Sequence, residues 1–257
     1  MILVPGTNDQ SKPNSRYTMK KSKYAPKYPL IWQKDDFYIE IFCSIPNIAT
    51  GILLTTNKAK FVIDPGDGLL RDLNKNISKQ DILEISDIFI SHGHHDHVGG
   101  VWSFLTYLSV MRRTTPLNIY FPQGCVEILS IYKAFKEVYS HELSYEINLI
   151  PLKSTKRFQR KSVTIQPFKV NHRELNDDGT SEYVPSMGYK FIYDGKSICY
   201  GGDTAYCESL VKMAKDSDLA IIEAGAIDSE DETHMTMEQA DTIGSSAEEY
   251  FLVHVPE

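Results

Sequence analysis

Ser91-His92-Gly93-His94-His95-Asp96-His97 is the stretch from which the rest of this chain is read. It gathers four of the eight histidines of a 257-residue protein into six residues, with an aspartate among them. Four histidines satisfied separately within one loop are improbable, whereas imidazole beside carboxylate is metal-ligand composition. Local geometry points the same way. In extended backbone, residues two apart face the same side, so His92 and His94 can converge on one ion. Where the chain turns into a helix, Asp96 and His97 can serve a neighbouring position, so one loop supplies ligands for two metals. Gly93 is expected to allow the tight path. Imidazole and carboxylate without thiolate suit Zn²⁺ first and Mn²⁺ or Fe second.

Outward from this loop, Ile88-Phe-Ile-Ser91 is a short apolar run leading into it, and residues 98–111 read as a helix leaving it. Upstream, residues 37–42, 51–55 and 61–64 are strand-like and joined by short turns. Downstream, residues 117–121 and 163–168 read as strands, with helical periodicity over 124–138 between them. Residues 188–193 and 197–200 form a hairpin around Asp194-Gly195, followed by Gly201-Gly202-Asp203-Thr204. A helix over 205–215, a strand over 219–222 and a closing strand over 251–255 follow. Thr236 and Gln239 form a capping box whose helix would place Met237, Ala240, Ile243 and Ala247 on one face. Two comparable halves, about 37–170 and 171–257, predict an α+β protein of two packed sheets with helices outside.

Composition sets the outer bounds. With 42% hydrophobic and 24% charged residues the chain is of ordinary globular composition. No apolar run approaches the roughly 18 to 20 residues of a membrane helix, and Met1-Ile-Leu-Val4 stops at Pro5-Gly6, too short for a signal-peptide core. A cytoplasmic protein without membrane association is expected. Cys43, Cys125, Cys199 and Cys207 are scattered and form no Cys-x-x-Cys pair, so free, largely buried thiols are expected. The net charge of −7 argues against a chain whose main task is coating nucleic acid. Residues 1–29 read as a basic, mobile or surface-draped extension, and 30–257 as the working domain.

The 92–97 loop closely resembles the His-x-His-x-Asp-His signature of the metallo-β-lactamase superfamily, and the downstream landmarks occur in that family's order. The resemblance covers residues 37–257. It implies an αββα sandwich of two mixed β-sheets flanked by helices, with a dinuclear site at the edge of the sheets. His92, His94 and His172 would then hold one metal, Asp96, His97 and His254 the other, and Asp203 would bridge them. Two Zn²⁺ are expected, with Mn²⁺ or Fe as substitutes. Each downstream position also has a plainer reading: Asp203 as a turn residue or helix cap, His172 and His254 as core residues at strand ends. His95, at the variable position, is expected to be no ligand, Asp64 to support the loop, and His141 to lie at the surface.

Within that superfamily, Glu223-Ala-Gly225, His234-Met-Thr236 and Gly188-Tyr189 resemble elements of ribonuclease Z-like enzymes. The Pro-Gly-His-x-x-Gly segment usual in glyoxalases and lactonases is absent. The resemblance therefore implies a metal-dependent phosphodiesterase acting on a phosphodiester or RNA, with Asp96, Asp203 and His234 as candidate catalytic residues. Two metals roughly 3.5 to 4 Å apart would give hydroxide at neutral pH, which Asp203 would orient, while His234 would protonate the leaving oxygen or stabilise the phosphoryl oxygens. A thioesterase or lactonase on the same site, or a metal-binding regulatory protein, are the alternatives, and a homodimer is compatible with either. No Gly/Pro-rich insertion suited to a tRNA-gripping arm is visible. The chain ends three residues after His254, so a terminal helix carried by many relatives is expected to be missing or cut off.

Overall fold

The apolar runs read from the sequence become two β-sheets laid face to face. The computed structural model describes residues 27–139, 143–228 and 232–256. Most of the basic extension and His141 lie outside the described residues.

The first sheet opens with an antiparallel meander, β1 (Leu30–Lys34), β2 (Phe37–Ile45), β3 (Ala49–Thr55) and β4 (Lys60–Ile63). Helices α1 (Leu69–Asn76) and α2 (Lys79–Glu84) lead to β5 (Asp87–Phe89). Helices α3 (His95–Val98) and α4 (Val101–Val110) lead to β6 (Leu117–Pro122), and α5 (Val126–Tyr139) to β7 (Ile147–Leu152). From β4 onward neighbours are parallel, so the sheet is mixed.

The second sheet comprises β8 (Phe158–Arg160), β9 (Val163–Lys169), β12 (Met187–Tyr193), β13 (Lys196–Tyr200), β14 (Leu219–Glu223) and β15 (Glu249–Val253), in the order β15-β14-β13-β12-β9-β8. A separate hairpin, β10 (Arg173–Leu175) and β11 (Ser181–Tyr183), follows β9. Helix α6 (Glu208–Ala214) joins β13 to β14, and α7 (Met237–Gly244) joins β14 to β15.

Three apolar clusters hold four layers together. Phe37, Phe61, Phe89, Tyr189, Phe191 and Ile221 fill the space between the sheets. Phe89 stacks on Tyr120 with ring centroids 4.9 Å apart and meets Phe191 edge-on at 5.3 Å. Leu73, Ile82, Phe104, Leu108 and Phe135 seal the outer face of the first sheet. Leu210, Ala214, Ala240 and Ile243 do the same for the second. The result is the expected αββα sandwich, because each sheet buries both faces and each helix buries one.

Several sequence expectations shift. Residues 163–168 form a strand, but it pairs with β12 from Gly188↔Phe168 to Ile192↔Thr164, so the division between halves falls between β7 and β8 and not near residue 170. The helix read over 98–111 is two pieces, α3 and α4, separated by Gly99 and Gly100. Thr236 caps α7 as read, with both arms of the capping box present, yet Met237 is exposed and the buried face is Ala240 and Ile243. β1, α1, α2 and β7 carry no signal strong enough to read in advance.

The strand termini that matter lie at one edge. The segments leaving β4, β5, β9, β13 and β15 carry, respectively, Asp64, the 92–97 loop, His172, Asp203 and His254. Two glycines bring these segments close. A Cβ on Gly66 would lie 2.0 Å from the Asp96 carbonyl oxygen and 2.5 Å from the Thr50 backbone, and one on Gly100 would lie 2.2 Å from the Gly66 oxygen. Gly66→Ala is therefore expected to lower unfolding stability by about 1–3 kcal/mol, the usual scale of overpacking. A urea midpoint equal to wild type would show instead that the loop after β4 yields freely.

Candidate metal centre

At that edge the sequence candidates fall into two groups of potential ligands. His92, His94 and His172 form one, and Asp96, His97, Asp203 and His254 the other, with donor atoms inside each group all within 4.8 Å of one another. Asp203 faces both: its Oδ2 is 3.3 Å from His97 Nε2 and 3.9 Å from His92 Nε2, and its Oδ1 is 3.5 Å from His254 Nε2. His95 is exposed and belongs to neither group. All seven candidate ligands are thus brought together.

The outer partners of three imidazoles fix their tautomers. Asp64 is fully buried and accepts from Ser91 N at 2.6 Å, Ser91 Oγ at 2.5 Å, His97 Nδ1 at 2.9 Å and Tyr200 OH at 2.7 Å. A carboxylate can only accept, so His97 Nδ1 carries a proton and Nε2 is the nitrogen turned to the centre. Ser91 gives its one proton to Asp64, so His92 Nδ1, 3.0 Å from Ser91 Oγ, donates to that oxygen. His172 Nδ1 likewise donates to the Thr233 carbonyl at 3.0 Å. Each ring therefore turns Nε2 inward, the nitrogen that binds metal once it carries no proton.

Polar satisfaction tests whether a cation fits. His92 Nε2, His97 Nε2 and Asp203 Oδ1 are buried without a hydrogen-bond partner. Buried polar atoms are rarely left so, and these converge on the same space. Divalent cations at the two groups would satisfy all three. The electrostatics agree. Burial works to raise the Asp203 carboxyl, yet the His254 and His97 charges hold it well below the usual carboxylate range. Burial opposes a charged His97, but Asp203 and Asp64 outweigh it and raise its pKa well above the usual value, so the pocket attracts positive charge. Burial, followed by the His97 charge, pushes His92 well down. Burial, opposed by Asp203 and the Thr233 hydrogen bond, takes His172 to about 4, leaving both rings neutral near pH 7.

A second polar arm stands beside Asp203. Glu223, buried at the end of β14, accepts from Thr204 N at 3.1 Å, Met235 N at 3.0 Å and Gly225 N at 2.6 Å. His234 Nδ1 lies 3.3 Å from Glu223 Oε1 and 4.0 Å from Asp203 Oδ2. His234 is thus part of the centre's wall without belonging to either ligand group.

Sequence reasoning missed how Glu223 works here, and missed Tyr200 and Thr50, whose Oγ1 is 2.9 Å from His254 Nε2. A buried acid in an apolar strand, Leu219-Ala-Ile-Ile-Glu223, was the available signal for Glu223. Tyr200 and Thr50 offered none, since both read as ordinary strand residues. A Cβ on Gly93 would lie 2.1 Å from Oε2 of Glu127, an exposed side chain whose end can move aside.

Comparison with known proteins agrees with this geometry. Proteins named ribonuclease Z match over most of their length. That of Thermococcus sibiricus is 29% identical over 69% of this chain and 70% of its own, and that of Methanosarcina mazei is 20% identical over 77% and 78%. Among solved structures, the short form of human tRNase Z superposes with a TM-score of 0.67 at 22% identity, covering 84% of this chain and 91% of its own. The metallo-β-lactamase fold protein YhfI of Bacillus subtilis gives 0.68 at 18% identity, covering 87% and 88%. The family model described as the beta-lactamase superfamily domain matches residues 59–254, which hold Asp64, all seven candidate ligands, Glu223 and His234. The chain belongs to the beta-lactamase superfamily.

Proposed function

We propose that this protein is a metal-dependent phosphodiesterase of the ribonuclease Z type, whose substrate is an RNA phosphodiester. The observation that carries the reading is the Glu223–His234 pair set against Asp203, at the rim of two adjoining ligand groups. Relatives named ribonuclease Z supply the substrate class.

In this reading His92, His94 and His172 hold one divalent cation and Asp96, His97 and His254 the other, with Asp203 shared. Zinc suits the donor set best, and manganese or iron can replace it. Such a pair supplies an acidified water and neutralises charge on a phosphoryl oxygen. The remaining work belongs to the side chains. Asp64 orients His97 directly and His92 through Ser91, so neither ring must reorganise when charge develops. Asp203 accepts the hydrogen of the attacking water and aims its oxygen at phosphorus.

Glu223 is held by three backbone amides, so its carboxylate orients His234 through Nδ1. The proton His234 can pass to a departing alkoxide is then on Nε2. His234 is partly exposed, as a group that must meet substrate should be.

Three outcomes test this. After gentle zinc loading, elemental analysis should approach two metals per chain, and His94→Ala should lose much of that binding. A wild-type protein that stays metal-free would remove the basis of the reading.

Asp203→Ala should abolish hydrolysis of an activated phosphodiester, because the shared ligand and the carboxylate beside the nucleophile go together. Thioester and lactone substrates assayed alongside should turn over more slowly than the phosphodiester. The reverse order would assign the site to acyl transfer.

His234→Ala should leave metal content near wild type while lowering kcat by about 10²-fold or more, the scale of a positioned acid or oxyanion donor. Substrates with very good leaving groups should suffer less if the ring protonates the leaving oxygen. Loss of a metal in this variant, or unchanged turnover, would show that His234 has another role.

A further inference from the structure

The parallel strands β5, β6 and β7 have a second end. At their amino-terminal edge lies a cleft of about 760 Å³, walled by α2, the segment between α4 and β6, and the β8–β9 turn. Asp87 at the start of β5 and His92 in the metal loop are five residues apart along β5 and the segment that leaves it, which puts the cleft up to about 16 Å from the metal centre.

Its charge is one-sided. Arg112, Arg113, Arg160 and Lys161 line it, against one lining carboxylate, Glu84, which Lys60 engages at 2.7 Å. Arg113 is 3% exposed and donates to the carbonyls of Thr115, Leu83 and Pro116. Among the described residues it forms no ion pair, and burial pulls its pKa below the usual arginine value. Arg160 gives Nε to the buried Asp87 carboxylate at 2.7 Å, and no hydrogen bond among the described residues uses its two Nη groups. The cleft therefore offers planar guanidinium donors and a buried positive floor, the chemistry that selects phosphate oxygens.

Backbone conformation adds an independent observation. Eight described residues other than glycine have positive φ, and five of them are Asp or Asn, which tolerate that region. The others are His254, a candidate metal ligand, and Arg112 at 56° and Lys161 at 54°. Glycine would be easier at both positions, yet both carry cations that face the same cleft. Leu83 and Pro116 supply an apolar wall, and the volume lies within the 300–1,000 Å³ range of small-ligand sites.

We propose that this cleft is a binding site for a phosphorylated small molecule of nucleotide size, separate from the metal centre. Arg112, Lys161 and the Nη groups of Arg160 contact the phosphate, and the ring system lies against Leu83 and Pro116. The site does not depend on what the metal centre hydrolyses. Because Arg160 belongs to the second sheet and Asp87 to the first, a ligand held there clamps the two sheets together.

The test titrates the zinc-loaded, full-length protein with AMP, by calorimetry and by thermal unfolding. Arg112→Gly/Lys161→Gly removes both exposed cations at positions that glycine accepts, so folding is retained. AMP should bind wild type and raise its Tm, and its affinity should fall at least tenfold in the double variant, with phosphodiester turnover within twofold of wild type. Asp203→Ala should bind AMP as wild type does. AMP affinity unchanged in the double variant, or lost in Asp203→Ala instead, would place the nucleotide at the metal centre and overturn the proposal. So would inorganic phosphate binding as tightly as AMP, or a single-stranded RNA binding the cleft where AMP does not.

Discussion

The Asp64 carboxylate is the constraint on which the metal centre rests. It is fully buried at the end of β4 and accepts four hydrogen bonds, from the backbone and hydroxyl of Ser91, from His97 and from Tyr200. Those donors come from the segment after β5, from α3 and from the end of β13 in the other sheet. Burying a carboxylate is costly unless it is hydrogen-bonded, so the arrangement holds together only when all three segments are in place. The same four bonds decide which nitrogen of His97 carries a proton, and, through Ser91, which nitrogen of His92 does. Fold and ligand chemistry are therefore set by one group.

A polar hub of this kind could not sit inside the sandwich. Phe61, Phe89, Tyr189 and Phe191 pack the space between the sheets. Asp64 has left this layer, just past the last residue of β4, in the left-handed conformation at φ 45° that aspartate tolerates. Pro65 and Gly66 then turn the chain back against Thr50 and Gly100. The polar centre is thus confined to the edge where strands end, and the apolar clusters beneath give it a rigid base.

Much of this was legible in the sequence because metal ligation and helix capping are local. His92, His94, Asp96 and His97 lie in one loop, and the Thr236–Gln239 box can be recognised within four residues. His172, Asp203 and His254 are separate in sequence, and only their order relative to the loop gave them meaning. Pairing was not legible. Val163–Lys169 has a strand's composition, yet nothing in it says that its partner is β12 rather than β7. Short helices such as α1 and α2 failed for another reason: one or two buried residues each, Leu69 and Leu73 in the first and Ile82 in the second, leave too faint a period. At Gly93 an added Cβ would meet the end of the Glu127 side chain, far along the chain, and no local pattern encodes that contact.

The two edges of the same parallel strands carry opposite electrostatics. At the carboxyl end, Asp64, Asp96, Asp203 and Glu223 converge and the pocket attracts positive charge. At the amino end, Arg112, Arg113, Arg160 and Lys161 line one cleft, and only Arg160 among them pairs with the buried acid Asp87. Strand ends free side chains from the packing between sheets, so both edges can concentrate charge that the interior could not accept. Which sign accumulates is then set by the residues at the strand ends and in the loops. The histidine-rich loop supplies imidazoles and a carboxylate that suit a cation, and the turns holding Arg112 and Lys161 supply cations that suit an anion. A net charge of −7 conceals this division, because it averages two local fields that a folded chain keeps apart by the length of a strand.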